Sequence, residues 1–165
     1  MKTNILRATI IYPVRGDEVL MSVKQRKVNA GKICGYGGTI EHGDASPEMR
    51  ALKELEEECG LRAFKSHLIP QAVITFSENG NPLIFKVKFW VIKHWTGTPI
   101  DTDEMKEPHF YYIWRLPPNM PVGDHLYLRD ILCGQRLVGE IHFSKGKKRV
   151  LRSHFHAVSG QQLRF

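Results

Sequence analysis

Cysteine is scarce in this chain: Cys34, Cys59 and Cys133 are odd in number, far apart and form no CxxC pair. That argues against a disulfide framework and makes a reduced, cytoplasmic protein the simplest expectation. Long apolar runs are missing, so nothing in the sequence is expected to span a bilayer. The stretch Met1 to Arg7 lacks the apolar core of a secretory signal. Internal repeats and low-complexity linkers are also absent. What remains is ordinary globular composition, 42% hydrophobic and 25% charged over 165 residues. One domain spanning 1–165 is expected, large enough for a real hydrophobic core.

The charge is present but unevenly spread. The formal net charge is +7. Between Gly38 and Gly60, however, seven acids (Glu41, Asp44, Glu48, Glu54, Glu56, Glu57, Glu58) face two bases (Arg50, Lys53). That segment carries −5, so the remainder carries +12. A basic protein suits a polyanionic partner, and an acidic patch within it suits a cation. A metal-bound polyphosphate would satisfy both. A solvated acidic helix is the plainer alternative that charge alone leaves open.

Periodicity and turn residues give an outline of the fold. Ile5 to Val14 and Glu18 to Lys24 read as strands around Arg15-Gly16-Asp17. Lys27 to Gly38 reads as a glycine-rich loop, and Ser46 to Cys59 as a helix. Ile69 to Phe76 and Leu83 to Trp95 read as a strand pair, His109 to Arg115 as a strand, and Asp124 to Cys133 as a short helix. Leu137 to Ser144 and Arg149 to Val158 close the chain as a hairpin. Mixed strands with two helices imply an α/β fold in which helices cover a sheet.

The acidic helix has a defined start and stop. Ser46 is an N-cap, Pro47 suits the first helical position, and Gly60 suits the C-terminal stop. At about 100° per residue, Glu54, Glu57 and Glu58 share one arc and Leu52, Leu55 and Cys59 another. Like charges at i, i+3 and i+4 repel unless something compensates them. Carboxylate oxygens are the donors that Mg²⁺ and Mn²⁺ prefer. Glu56, on the far side, reads as a solvated surface residue.

Read as a whole, the stretch resembles the Nudix box, G-x5-E-x7-R-E-U-x-E-E-x-G-U with U a bulky apolar residue. Gly38, Glu54, Leu55, Glu57, Glu58, Gly60 and Leu61 fall in register. Three departures stand out. Asp44 replaces a glutamate, Lys53 replaces the arginine, and eight residues rather than seven separate them. An Asp44–Lys53 pair is expected to brace the loop against the helix, with the extra residue in the loop before Ser46. Further stretches, "LMSVKQRKVNAGKICGYGG", "GTPIDTDEM" and "GEIHF", resemble the oxidised purine nucleoside triphosphatase branch. The resemblance implies the Nudix fold, a mixed β-sheet sandwiched between α-helices. It also implies Mg²⁺-dependent cleavage of a nucleoside triphosphate to monophosphate and pyrophosphate, with Mn²⁺ able to substitute.

By the same resemblance Glu54, Glu57, Glu58 and the Gly38 carbonyl are metal ligands. Glu104 completes the site or orients water. Either Glu57 or Glu104 is the general base, and the sequence leaves that open. Lys24 reaches the substrate, and Gly37 and Gly38 allow close backbone approach to phosphate or metal. Cys34, Phe76 and Asp124 belong to the base pocket, although core packing is the stronger claim on Phe76. This pocket departs most from the pattern. Cys34 stands where the branch has an asparagine, Gly123 where it has a second carboxylate, and Pro121 where it has a tryptophan. Those changes keep alive a different diphosphate substrate, such as an RNA 5′ end or a dinucleoside polyphosphate. A third reading is a nucleotide-binding module without chemistry, against which the intact glutamates argue. No stable nucleic-acid partner and no membrane association are expected, and a monomer is favoured. His154 and His156, alternating on a strand, and the Lys145–Arg149 turn read as plain surface.

Overall fold

The structure is a computed structural model that describes residues 2–165. Strand β1 (Asn4–Arg15) carries the Ile/Val-rich run and forms the centre of the fold. Its second half is buried on both sides, with Ile11 and Tyr12 both fully inaccessible. Burial of successive residues is what a central strand covered on both faces requires. Strand β2 (Glu18–Lys24) follows the tight turn at Gly16. The glycine-rich segment is a loop containing two short strands, β3 (Ile33–Cys34) and β4 (Tyr36–Thr39). Helix α1 (Pro47–Cys59) comes next, then the hairpin β5 (Ile69–Glu78) and β6 (Asn81–Ile92). Strand β7 (Met105–Tyr112), helix α2 (Leu128–Leu132) and the hairpin β8 (Leu137–Phe143) and β9 (Val150–Ala157) complete the chain.

The strands run in the order β3-β2-β1-β6-β5-β8-β9, with β4 added on β1 and β7 on β2. The β1–β6 and β5–β8 pairings are parallel and the others antiparallel, which makes the sheet mixed, as expected. Two cores fill its two faces. One holds Tyr12, Ile74, Phe89, Tyr127, Leu128, Ile131 and Ile141. The other holds Ile11, Leu20, Tyr36, Leu55, Leu61, Trp90 and Ile92 beneath α1.

The second helix is shorter than its pattern predicts. Residues Asp124–Leu126 form one 3-10 turn, and α2 has five residues. Gly123 (φ 94°) and Gly134 (φ 97°) bound the segment, and Tyr127 at φ −139° interrupts it. Left-handed glycines cannot propagate a helix, so little chain is left between them. Helical cover is therefore thin beyond α1. Among the described residues, no helix is long and apolar enough to cross a membrane.

Candidate active site

Helix α1 is built as its sequence dictates. The Ser46 hydroxyl accepts from the Met49 amide at 3.2 Å, Pro47 opens the first turn, and Gly60 closes the helix at φ 79° with its amide on the Glu56 carbonyl. Leu55 and Cys59 are fully buried against the sheet. The glutamates do not all project alike. Glu54 (7% exposed) and Glu58 (4%) are buried, whereas Glu57 is exposed and lies 3.9 Å from Lys53. Glu56 is exposed too and pairs with Arg62 at 3.0 Å, as a surface residue should.

The buried pair faces the glycines of β4. Glu58 Oε1 accepts from the Gly37 amide at 3.2 Å. A Cβ on Gly38 would stand 2.6 Å from Glu54 Oε1, and one on Gly37 would stand 2.0 Å from the Thr9 carbonyl oxygen. Only hydrogen at these two positions lets the strand, the neighbouring backbone and the carboxylate close up. Glu54 and Glu58 are in hydrogen-bond contact with each other. Burial, and next to it the Glu54 carboxylate, hold the Glu58 carboxyl well above the usual range. Two like charges forced together in a dry place favour protonation unless a cation relieves them. The donor set is therefore right for a hard divalent ion: two buried carboxylates, a third at the rim in Glu57, and the adjacent Gly38 backbone. Among the described residues, no three His, Cys, Asp or Glu side chains already converge tightly enough to define a metal cluster.

The brace of this loop differs from the expected one. Lys53 does not meet Asp44; it reaches Glu57 instead. Arg50 takes its place. Its guanidinium, buried in its surroundings, lies 2.6 Å from Glu54, 3.7 Å from Asp44 and 3.6 Å from Glu41. Asp44 also accepts from the Glu41 amide at 2.7 Å, which closes the preceding loop. The spacing of Arg50 to Glu54, one helical turn, was a readable signal. A planar, multi-donor guanidinium bridges several carboxylates in a way that a lysine ammonium does not.

Glu104 sits in the loop before β7, 3.0 Å from Arg26 and 4.0 Å from Lys27, so its carboxylate is tied to the β2–β3 loop. Lys24, at the end of β2, is half-buried, and its charge acts on both Cys34 and Glu58. Cys34 is buried, which pushes its thiol up to about 12. Asp124 is 6% exposed and accepts from the Tyr127 hydroxyl at 2.8 Å. Burial raises its carboxyl to about 7, and that hydrogen bond holds it back from going higher. Tyr12 joins the group: its ring lies against Gly35, and its buried hydroxyl has no hydrogen-bond partner among the described residues. Cys34, Asp124, Tyr12 and Tyr127 thus form one buried polar cluster. A ligand can reach Asp124 only if a side chain moves. Phe76 packs with Phe89, Tyr127 and Phe143 at ring separations of 6.1 to 6.4 Å, which is core packing.

A paired carboxylate site at a helix–glycine-strand junction, on this mixed sheet, is the framework of a Nudix domain. The family model for the NUDIX domain matches residues 4–126, and the chain belongs to that family of hydrolases. It is 31% identical over 136 residues to the oxidized purine nucleoside triphosphate hydrolase of Danio rerio, covering 82% of this chain and 85% of that protein. It is 30% identical over 109 residues to the protein of the same name from Mus musculus, covering 66% and 67%. The fold superimposes on the crystal structure of a MutT protein from Bacillus halodurans with a TM-score of 0.74 at 19% identity, over 91% of this chain and 97% of that one.

Proposed function

We propose that this chain hydrolyses purine nucleoside triphosphates, oxidised ones among them, to the monophosphate and pyrophosphate. The observation that carries the reading is the buried Glu54–Glu58 pair against Gly37 and Gly38, within a chain similar in sequence to oxidized purine nucleoside triphosphate hydrolases. Glu54, Glu57, Glu58 and the Gly38 carbonyl would hold Mg²⁺, or Mn²⁺ in its place, which would supply neutralisation of phosphate charge and activation of water. Arg50 fixes Glu54 in place. Lys24 supplies a positive charge on the same side and meets the phosphates. The glycines let the triphosphate approach the backbone. Glu57, exposed at the rim, or Glu104, once released from Arg26, takes the proton from the attacking water.

One observation favours a second substrate within the same family. The cluster meant to read a purine edge offers little surface, since Cys34 and Asp124 are buried together with Tyr12 and Tyr127. A diphosphate whose base stays outside that cluster, such as a dinucleoside polyphosphate or an RNA 5′ end, would not need that surface. A substrate panel with product analysis, run with Mg²⁺ and with Mn²⁺, separates the two. Pyrophosphate and monophosphate from 8-oxo-dGTP or dGTP support the first. Turnover confined to dinucleotides or RNA ends supports the second. Orthophosphate released directly from dGTP contradicts the first. For the base pocket, Asp124→Ala is expected to raise KM for purine triphosphates about 10-fold, the scale of one unpaired polar edge. A uniform loss across all bases would make Asp124 structural.

A further inference from the structure

The strand register gathers on one sheet face cations that are scattered in the sequence. Arg7 on β1 pairs with Lys86 on β6, and Lys86 with Thr75 on β5. Thr75 pairs with Glu140 on β8, and Glu140 with His154 on β9. The row on one side runs Thr9, Lys88, Val73, Val138, His156; on the other side Ile5 pairs with Ile84, and Ser77 with His142 and His142 with Arg152, the β5–β6 register being irregular between these two groups. Residues directly opposite in a sheet share a face. This is therefore a single surface on the α1 side of the sheet, since Trp90 and Ile11, next in the same columns, pack under that helix. Helix α1 packs mainly against β4 and β1, and the outer strands lie past it.

Apart from Thr9 and Val73, which are buried, the face is accessible and basic. Arg7, Arg152, His154 and His156 are exposed, and Lys86, Lys88, Thr75, Ser77 and His142 are half-buried. Among the described residues none of Arg7, Lys86, Lys88 and Arg152 forms an ion pair. The acids on it are Glu140 and, near Lys88, Glu48 of α1. The cations lie at two edges: Arg7, Lys86 and Lys88 on β1 and β6, and Arg152 on β9, where the imidazoles of His154 and His156 adjoin it as hydrogen-bonding groups. Three strand steps separate β6 from β9, about 14 Å at the usual interstrand spacing. Between these edges lie the hydroxyls of Thr75 and Ser77. Ser77 is fixed by a 2.7 Å hydrogen bond with His142, whose other ring nitrogen meets Asn79 at 2.7 Å.

We propose that this face binds a nucleic-acid strand through its phosphates, without sequence preference. Unpaired cations flanking hydroxyl donors complement a flexible chain of phosphates. No aromatic ring is exposed on the face: Trp90 is buried beneath Lys88, 4.5 Å from its ammonium. Base stacking therefore contributes nothing and sequence goes unread. A membrane surface fits less well, since insertion needs an amphipathic element with apolar residues to bury. Here Ile5 and Ile84 alone are apolar at the outer end. The expectation of no stable nucleic-acid partner rested on the lack of an aromatic-basic platform in the sequence; the contact proposed here is to phosphate and uses none, through Arg7, Lys86 and Arg152, which are far apart in the chain.

The test is fluorescence anisotropy with labelled single strands of about twenty nucleotides, one DNA and one RNA, in EDTA so that no cleavage occurs. Salt is varied from about 50 to 200 mM. The expected result is binding that weakens with salt, with a log–log slope of about −2 to −3 from three to four phosphate contacts. The variant Arg7→Gln/Lys86→Gln/Arg152→Gln should keep its thermal midpoint, lose at least about 10-fold in affinity at low salt, and flatten the slope by about 2. Equal affinity for DNA and RNA assigns the contacts to phosphate alone. Tighter RNA binding adds Thr75 and Ser77 as partners of the 2′-hydroxyl. Absence of binding at low salt overturns the proposal. So does an unchanged triple variant, a loss confined to Lys145→Gln/Lys148→Gln in the neighbouring turn, or binding to phosphatidylserine vesicles in place of oligonucleotides.

Discussion

Arg50 lies 2.6 Å from Glu54, one helical turn away on α1, and the same guanidinium spans to Asp44 and Glu41 in the loop before the helix. This contact fixes the position of a buried carboxylate, the one proposed to hold metal, by a residue outside the position where the family pattern has its arginine. Removing it leaves Glu54 buried beside Glu58 with nothing opposite. Arg50→Ala is expected to cost about 3 kcal/mol, the scale of breaking a buried ion pair. Lys53→Ala, at an exposed site, should change stability by no more than about 0.5 kcal/mol. Urea midpoints for the two variants check this; equal losses would move the brace back to Lys53.

The two faces of α1 separate chemistry from solvation. Glu57→Gln should lower kcat at least about 100-fold, the scale of losing a principal acid–base or electrostatic group. Glu56→Gln, which merely releases Arg62 at the surface, should be silent. Chelation with EDTA should abolish turnover. Comparable rate losses at Glu56 and Glu57 in steady-state assays would contradict the assignment of the helix face.

Gly37 and Gly38 should fail differently when a methyl group is added. On Gly37 the new carbon meets backbone, the Thr9 carbonyl at 2.0 Å, so the β1–β4 pairing must open. Gly37→Ala is expected to destabilise by about 3 kcal/mol or more. On Gly38 the carbon meets the Glu54 side chain, which can swing away, although Arg50 then loses its partner. Gly38→Ala should fold, with weakened Mg²⁺ stabilisation in thermal melts and reduced turnover. A Gly38→Ala protein with wild-type metal response would exclude close approach as the reason for glycine there.

Asp124 makes stability depend on pH. Its carboxyl titrates near 7 in the folded chain, against an ordinary value of 3.8. Between those values the folded state binds the proton and the unfolded state does not, so stability falls as pH rises from about 4 to 7. Three pH units correspond to about 4 kcal/mol as an upper bound. The Glu58 carboxyl is shifted in the same direction and adds to the trend. Asp124→Asn, which stays neutral and keeps an oxygen for Tyr127, should flatten the trend measured by denaturant titration across that range. An unchanged slope would show that Asp124 titrates normally.

Helix α1 and its caps were legible in the sequence because capping, periodicity and the Gly60 stop act within a few residues. The register of the box was legible for the same reason: carboxylates on one helix are placed by its 3.6-residue period. The identities of the brace and the pocket depend on contacts that periodicity does not encode. Whether Lys53 or Arg50 meets Asp44 is decided by the path of the Ile40–Ser46 loop and by which side chain that loop buries. The buried cluster depends on Tyr12, whose strand packs it against Gly35 and beside Asp124, 112 positions later.

The sequence by itself determined the family, the helix that carries Glu54, Glu57 and Glu58, and most strand positions, since each rests on local spacing and local propensity. Tertiary structure alone decided that Glu54 and Glu58 are buried while Glu57 stays at the rim, and that Asp124 shares a buried cluster with Tyr12, Cys34 and Tyr127. It alone decided that Arg7, Lys86 and Arg152 share one surface. Burial and strand register are properties of which segments meet, and packing fixes them between residues far apart in the chain.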